Sequence, residues 1–287
     1  MHDADAGLSN ALHAAAALID GADALILAAG AGMSVDSGLP DFRGDDGLWR
    51  AYPALQAAGL SFERLASSAM LAAEPATVWG FFAHRLLRYR ETSPHAGYAV
   101  LRALGAQRPQ GAFVVTSNVD GQFVRAGFAA TQVLELHGSI HNLQCAENCS
   151  ALVWPASGLQ PEVDAERCRL RSPLPRCPRC GALARPNVAM FSDWGWNDAC
   201  TANQLQRYRA WRRACARPVV IEVGAGTTVS TVRRFSEGSG LPVLRINPHE
   251  AALPPGVRGV SLPCCALPAL TALGERCGVA LPSSTST

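Results

Sequence analysis

The chain has 287 residues, 48% of them hydrophobic and 17% charged, with a formal net charge of +2; this describes an ordered globular protein with a sizeable core, and a charge balance too mild to call for a nucleic-acid or membrane partner. All 25 basic residues are arginine, and a chain without lysine can hold neither a P-loop nor a protein-kinase phosphate site and forms no Schiff base. No run approaches the ~18 uninterrupted apolar residues of a membrane span, and the opening Met1-His2-Asp3-Ala4-Asp5 lacks a basic start and apolar run, so a cytoplasmic protein is expected.

Ser9 or Asn10 is suited to cap a first helix through Leu12, Ala15, Leu18 and Ile19. The apolar run Ala24 to Ala29 reads as a buried strand. Gly30 and Gly32, either side of Ala31, then permit a sharp turn, and Met33-Ser34-Val35 would open a helix whose N–H groups face an anion. The pattern is G-x-G-x-x-V, and no acidic residue ends a second strand about 20 residues on, as a hydride-transfer site would require. Instead Asp36 and Ser37 lead into a Pro/Gly loop carrying Pro40, Asp41, Phe42 and Arg43, a lid-like stretch unsuited to a helix. Residues 48–92 are helical in pattern; Glu74-Pro75 starts the clearest helix, with Val78, Phe81, Phe82, Leu86 and Tyr89 on one face. Ser93-Pro94 restarts the chain into a helix bearing Tyr98, Leu101 and Leu104.

Ala112 to Thr116 is a second strand, ending in Ser117-Asn118-Val119-Asp120-Gly121. Polar residues past a strand's C-terminal end are where open α/β sheets place ligand contacts, although Asn and Asp before Gly also serve as turn formers. Val133 to Leu136 is a third strand, leading into His137 and His141, either of which is a candidate general base. Ten cysteines in such a chain point to metal or redox chemistry before disulfides. Cys145-x3-Cys149 and Cys177-Pro178-Arg179-Cys180-Gly181 read as a four-thiolate structural zinc site. Four free thiols, or Cys168 replacing one ligand, are the alternatives. A zinc-ribbon nucleic-acid binder would show similar pairs, with only a modest arginine cluster here to support it. Pro218 to Val223 is a fourth strand running into Gly224-Ala225-Gly226-Thr227-Thr228, a small-residue turn that can approach a phosphate or ribose closely. Leu241 to Ile246 is a fifth.

Four ordered segments resemble the sirtuins, the NAD-dependent protein deacylases. They are G-A-G-M-S-V-D-S-G-L-P-D-F-R-G followed by Trp49, T-S-N-V-D-G-Q-F at 116–123, E-L-H-G at 135–138, and R-P-x-V at 185–188. The zinc cysteines fall between the last two, and the resemblance covers roughly residues 24 to 273. It implies an α/β fold: a Rossmann-like parallel-sheet domain (residues 1–47, 93–141 and 185–287) with a small domain of a helical part (48–92) and a zinc-ribbon part (142–184).

It also implies NAD as cofactor and a structural zinc on Cys145, Cys149, Cys177 and Cys180. His137 would be the base, with Asn118 and Asp120 holding the nicotinamide end. Further contacts to NAD are implied for Ala29, Gly30, Ala31, Gly32, Ser34, Asp36, Pro40, Asp41, Phe42, Arg43, Trp49, Ser117, Gly224, Ala225, Gly226, Thr227 and Asn247, and for Cys265 next to Cys264. An acyl-lysine protein or peptide would lie against Phe82, Arg85, Val188, Met190 and Phe191, partly as an added strand. The products would be nicotinamide, free lysine and O-acyl-ADP-ribose.

The chain departs from the family in places. Ser117 replaces the usual Gln. Ser192-Asp193-Trp194-Gly195-Trp196 stands where Gly-Glu is usual. Phe82-x-x-Arg85 stands where family members that prefer succinyl or malonyl groups carry Tyr-x-x-Arg. These departures leave open mono-ADP-ribosyl transfer or NAD hydrolysis at the same site. A zinc-stabilised nucleotide sensor without turnover is the other alternative.

Overall fold

The computed structural model describes residues 2–41 and 44–279. Helix α1 (His2–Asp20) leads into β1 (Ala24–Ala29), which ends in a short 3-10 helix over Ala31–Ser37. Five helices follow: α2 (Gly44–Ala51), α3 (Pro53–Ala57), α4 (Phe62–Leu65), α5 (Ser68–Ala73) and α6 (Pro75–Glu91). Then come α7 (Ala96–Ala106), β2 (Ala112–Thr116), α8 (Gln122–Arg125) and β3 (Val133–Glu135). An excursion of strands, β4 (Gly138–Cys145), β5 (Val153–Pro155), β6 (Val163–Asp164), β7 (Arg169–Leu170) and β8 (Ala184–Val188), precedes α9 (Ala199–Arg213). The chain closes with β9 (Pro218–Val223), α10 (Thr231–Glu237), β10 (Val243–Ile246), β11 (Gly259–Leu262) and α11 (Ala266–Arg276). Among the described residues no helix is long and apolar enough to cross a membrane.

Six strands form one parallel sheet in the order β11-β10-β9-β1-β2-β3. Strand β1 pairs with β2 on one side and β9 on the other, with Ala29 level with both Thr116 and Val223. The chain leaves β1 toward β2 and leaves β9 toward β10. The connections therefore diverge at the C-terminal ends of β1 and β9, the switch point where such sheets open a crevice for ligands.

Every residue of β1 is buried, because helices cover both faces of the sheet. Leu25, Leu27 and Ala29 face the core built with α1, α7 and α11, and Ile26 and Ala28 face the core closed by α9 and α10. A third core joins α2–α6 to β4, β7 and β8 through Leu48, Phe81, Leu86, Ile140, Leu143 and Val188.

Several boundaries differ from the sequence expectation. The first helix begins at His2, with Ser9 in its interior, where its carbonyl accepts from His13 Nδ1 at 2.8 Å. A Ser is a good cap only where a helix must start, and no proline precedes Ser9 to stop one. The turn after Gly30 winds as a 3-10 helix rather than an α-helix. Of the N–H groups expected to face an anion, that of Met33 is spent inside the turn on Gly30 O, and the preceding Gly32 N–H is taken by Gly224 O of the turn after β9. Strand β3 stops one residue short of Leu136, β10 starts at Val243 rather than Leu241, and β4, which ties His137 to Cys145, was not expected.

One charged pair sits inside the apolar strands. Glu222 and Arg245 are direct partners across β9 and β10, with side chains 1% and 0% exposed. Arg245 Nε donates to Glu222 Oε1 at 2.5 Å, its Nη2 to Glu237 Oε1 at 2.7 Å, and its Nη1 to Ala252 O at 2.7 Å. Burial pushes the Glu222 carboxyl up, and the guanidinium opposes this. A buried charge is tolerated when its partner and hydrogen bonds are complete, and here the pair fixes α10 and the chain after β10.

Candidate functional site

A cavity of about 720 Å³ opens at the switch point, within the size range of small-molecule sites. Its floor is where two glycine turns meet. Gly224 has φ +62°, and a Cβ there would lie 2.3 Å from Gly32 C and Met33 N. Only glycine allows that left-handed backbone and that approach together. Gly30, Ala31, Gly32, Pro40 and Asp41 line the cavity from the first turn, and Gly224, Ala225, Gly226 and Thr227 from the second.

Beside this floor the β2 terminus presents Ser117, Asn118 and Asp120. Asn118 Nδ2 donates to Gly30 O at 3.0 Å, and its backbone N–H to Thr116 Oγ1 at 3.0 Å. Ser34 Oγ donates to Asp120 Oδ2 at 2.6 Å and lies 3.0 Å from the buried Tyr98 hydroxyl. Since Ser34 has one proton, already given to Asp120, Tyr98 is the donor in that pair. Burial raises the Asp120 carboxyl, against the Gln122 N–H, the Ser34 hydroxyl and the Arg85 charge.

The two histidines separate. His137 lines the cavity, with Nε2 3.1 Å from Thr231 Oγ1 at the start of α10. His141 instead sets Nε2 2.9 Å from Asp120 O, outside the cavity lining. Burial lowers the His137 imidazole below its ordinary value, opposed by a backbone hydrogen bond with Ser117. Its neutral form therefore survives to lower pH than a free imidazole's. If His137 is the base, the acid limb of kcat/KM should lie below pH ~6.5, the unperturbed value. A pH–rate profile measures this; a limb well above that value would remove His137 from the role.

The remaining wall is mostly apolar: Phe62, Phe82, Val188, Met190 and Phe191, with Arg85 and Tyr89 also lining it. Phe62 meets Phe191 edge-on at 5.5 Å. Arg85 Nε and Nη2 donate to the Tyr89 hydroxyl at 2.8 and 2.6 Å.

Five expected contacts stand off the cavity. Ala29 ends β1 with its carbonyl taken by Thr116 Oγ1 and Ser117 N–H. Asp36 Oδ2 accepts from Leu267 N–H, and Trp49 Nε1 donates to Leu60 O. Cys265 caps α11. Asn247 is fully buried: Nδ2 donates to Ala225 O, and Oδ1 accepts from the N–H groups of His249 and Glu250. It positions Glu250, which does line the cavity and accepts from Thr227 N–H and Oγ1 at 3.1 and 2.7 Å. Phe42 and Arg43 lie outside the described residues. Glu250, Thr231 and Tyr89 are cavity residues that motif reading passed over. Glu250 alone had a signal: an acid just past a strand end in an α/β sheet.

Away from the cavity, the Sγ atoms of Cys145, Cys149, Cys177 and Cys180 all lie within 4.8 Å of one another. Cys145 is 3.6 Å from Cys180, and Cys149 3.6 Å from Cys177. A tetrahedral zinc with Zn–S bonds of about 2.3 Å requires sulfurs about 3.8 Å apart, so the group fits a structural zinc. The backbone N–H groups of Cys180 and Arg179 help hold the Cys177 thiol down to about 7, toward the thiolate a metal needs. Cys168 is not a ligand candidate. It is buried in the third core, where desolvation pushes its thiol up to about 12.

The Sir2 family model matches residues 30–228. The chain belongs to the Sir2 family. The NAD-dependent protein deacylase 1 of Pseudomonas aeruginosa is 33% identical over 243 residues, covering 83% of this chain and 88% of that one. The NAD-dependent protein deacylase of Pyrococcus furiosus is 34% identical over 232 residues, covering 79% and 82%. Among solved structures, a Sir2 homologue–NAD complex superposes with a TM-score of 0.69 at 26% identity, covering 93% of this chain and 94% of that one.

Within this Sir2 chain, Ser117 sits on the cavity wall, and Phe82 lies beside Arg85 and Tyr89. The unusual segment after Phe191 is a tight turn: Asp193, buried, accepts from both Nη atoms of Arg185 and from the N–H groups of Met190 and Gly195.

Proposed function

We propose that the chain is an NAD-dependent protein lysine deacylase that releases nicotinamide and O-acyl-ADP-ribose. The observation that carries this reading is one continuous cavity. It joins a glycine-turn floor, the Asn118–Asp120 terminus, the half-buried His137 and an apolar channel edged by β8, itself the edge strand of its sheet. A nucleotide sensor would need the floor alone. The relatives named above support deacylation over ADP-ribosyl transfer or NAD hydrolysis.

NAD, when bound, supplies an electrophilic ribose carbon and nicotinamide as leaving group. Asn118 and Asp120 would hold the nicotinamide end, with Ser34 and Tyr98 fixing the Asp120 carboxyl. His137 Nε2 would take a proton from a ribose hydroxyl, the Thr231 hydroxyl giving way to it. Phe62, Phe82, Met190 and Phe191 would shield the acyl chain from water. Zinc on the four cysteines would hold the β4–β8 region and take no part in the chemistry.

Arg85 and Tyr89 put a cation and a phenol in the channel wall, the phenol arriving from one turn beyond Arg85 and two turns beyond the Phe82 position. This pairing suits a carboxylate-ended acyl group. Arg85→Ala should lower kcat/KM for a succinyl-lysine peptide by at least about tenfold, the loss of a charge-assisted hydrogen bond, and spare an acetyl-lysine peptide. An unchanged succinyl-to-acetyl ratio would remove Arg85 from acyl selection.

A further inference from the structure

We infer that Trp194 is a specificity-determining anchor at the cleft mouth, binding an apolar side chain that flanks the acylated lysine of the substrate. Its indole is 99% exposed, although large aromatics are rarely left wholly in water. The backbone beneath it is firmly held. Asp193 takes four hydrogen bonds, two from Arg185 and one each from the N–H groups of Met190 and Gly195. Arg185 Nη2 also donates to Val188 O at 2.9 Å. Ser192 adopts φ +51°, a left-handed conformation that a serine keeps only when its surroundings enforce it. On one side Phe191 N–H donates to Ala66 O at 2.8 Å. On the other, Gln144 Nε2 donates to Gly195 O at 2.7 Å, and Asn197 Nδ2 to Ala151 O at 3.0 Å.

The turn thus bridges the cleft wall and the Cys145–Cys149 side of the zinc site, with the tryptophan exposed on it. Such a mount costs little entropy on binding, because the backbone is already ordered and the indole has two torsions to fix. Exposed tryptophans presented this way are the side chains that carry binding energy in interfaces.

The occupant follows from continuity with the cleft. Met190 and Phe191 line the cavity, and Trp194 follows Phe191 by three residues, so its backbone is within about 11 Å of a cavity-lining residue. Leu152, 45% exposed, is next to the Ala151 carbonyl that holds Asn197, and Val229, 39% exposed, lies on the loop that lines the cavity. Val229 therefore adds apolar surface at the cavity and Leu152 beside the base of the turn, and residues 192–196 carry no exposed acid. The inference rests on the deacylase reading.

The test compares the unsubstituted enzyme with Trp194→Ala and Trp194→Phe on three acyl-lysine substrates. One is a capped single acyl-lysine; the others are eleven-residue peptides with leucine or with serine at the flanking positions. Trp194→Ala should raise KM for the leucine-flanked peptide roughly tenfold, leave kcat unchanged, and leave the capped acyl-lysine untouched. Trp194→Phe should recover most of the loss. Equal losses on the capped acyl-lysine, or no loss on either peptide, would overturn the assignment. No turnover of any of the three by the unsubstituted enzyme would instead overturn the deacylase reading beneath it.

Discussion

His137→Ala should lower kcat/KM for deacylation by about 10²–10⁴-fold, the range a positioned general base contributes, and leave NAD affinity and thermal stability near those of the parent. The side chain is half-buried in the cavity and its Nε2 meets only the Thr231 hydroxyl among the contacts described, so truncation removes the base without opening a packed core. The step assigned to it follows nicotinamide departure, and exchange of labelled nicotinamide into NAD should therefore persist. Steady-state kinetics with an exchange assay separates the two steps. Loss of exchange together with deacylation would mean that His137 builds the site rather than acting as base. Thr231→Val serves as a companion: it removes the hydroxyl donor from Nε2 and should raise the acid limb of the pH profile, which Thr231→Ser should restore.

Loss of zinc should have the largest effect on stability. The four thiols come from the end of β4 and from the knuckle before β8. Without a metal, two buried and two exposed thiols and a short three-stranded sheet hold that region together. Metal binding in small zinc modules is itself folding free energy. Cys145→Ala, or exhaustive chelation, should lower the thermal midpoint by about 10 °C or more, corresponding to about 3–5 kcal/mol in a chain of this size. Metal analysis of the purified protein should find one zinc per chain. Deacylase activity should fall with it, because Gln144, next to Cys145, accepts from Asn187 Nδ2 and Asn197 N–H and donates to Gly195 O. The cleft wall and the Cys145 end of β4 thus share one buried hydrogen-bond network. A metal-free protein with an unchanged midpoint would contradict this.

The parts of the molecule that were legible in the sequence are those whose chemistry is local. Gly30 and Gly32 follow an apolar run, and the longer string G-A-G-M-S-V-D-S-G-L-P-D-F-R-G gives that turn its meaning. The knuckle Cys177-Pro178-Arg179-Cys180 states its geometry in four residues. Strands buried on both faces announce themselves as continuous apolar runs. What was hidden depends on topology. Glu250 reaches the cavity because β10 lies beside β9, and Thr231 meets His137 across 94 positions of sequence. Tyr98 reads as a core helix residue until Ser34 comes against its hydroxyl. Glu222 and Arg245, each alone in an apolar strand, become intelligible only as register partners. Asn247 has a second role that only the fold shows. Its side chain ties the turn after β9 to its own loop and sets Glu250, the neighbour that faces the cavity.

The most direct test of the account is mass spectrometry of the products formed from NAD and a mixed acyl-lysine peptide library. The account predicts O-acyl-ADP-ribose in step with peptide loss, from the unsubstituted enzyme and not from His137→Ala. Free ADP-ribose, or ADP-ribosylated protein, without loss of any acyl group would contradict it.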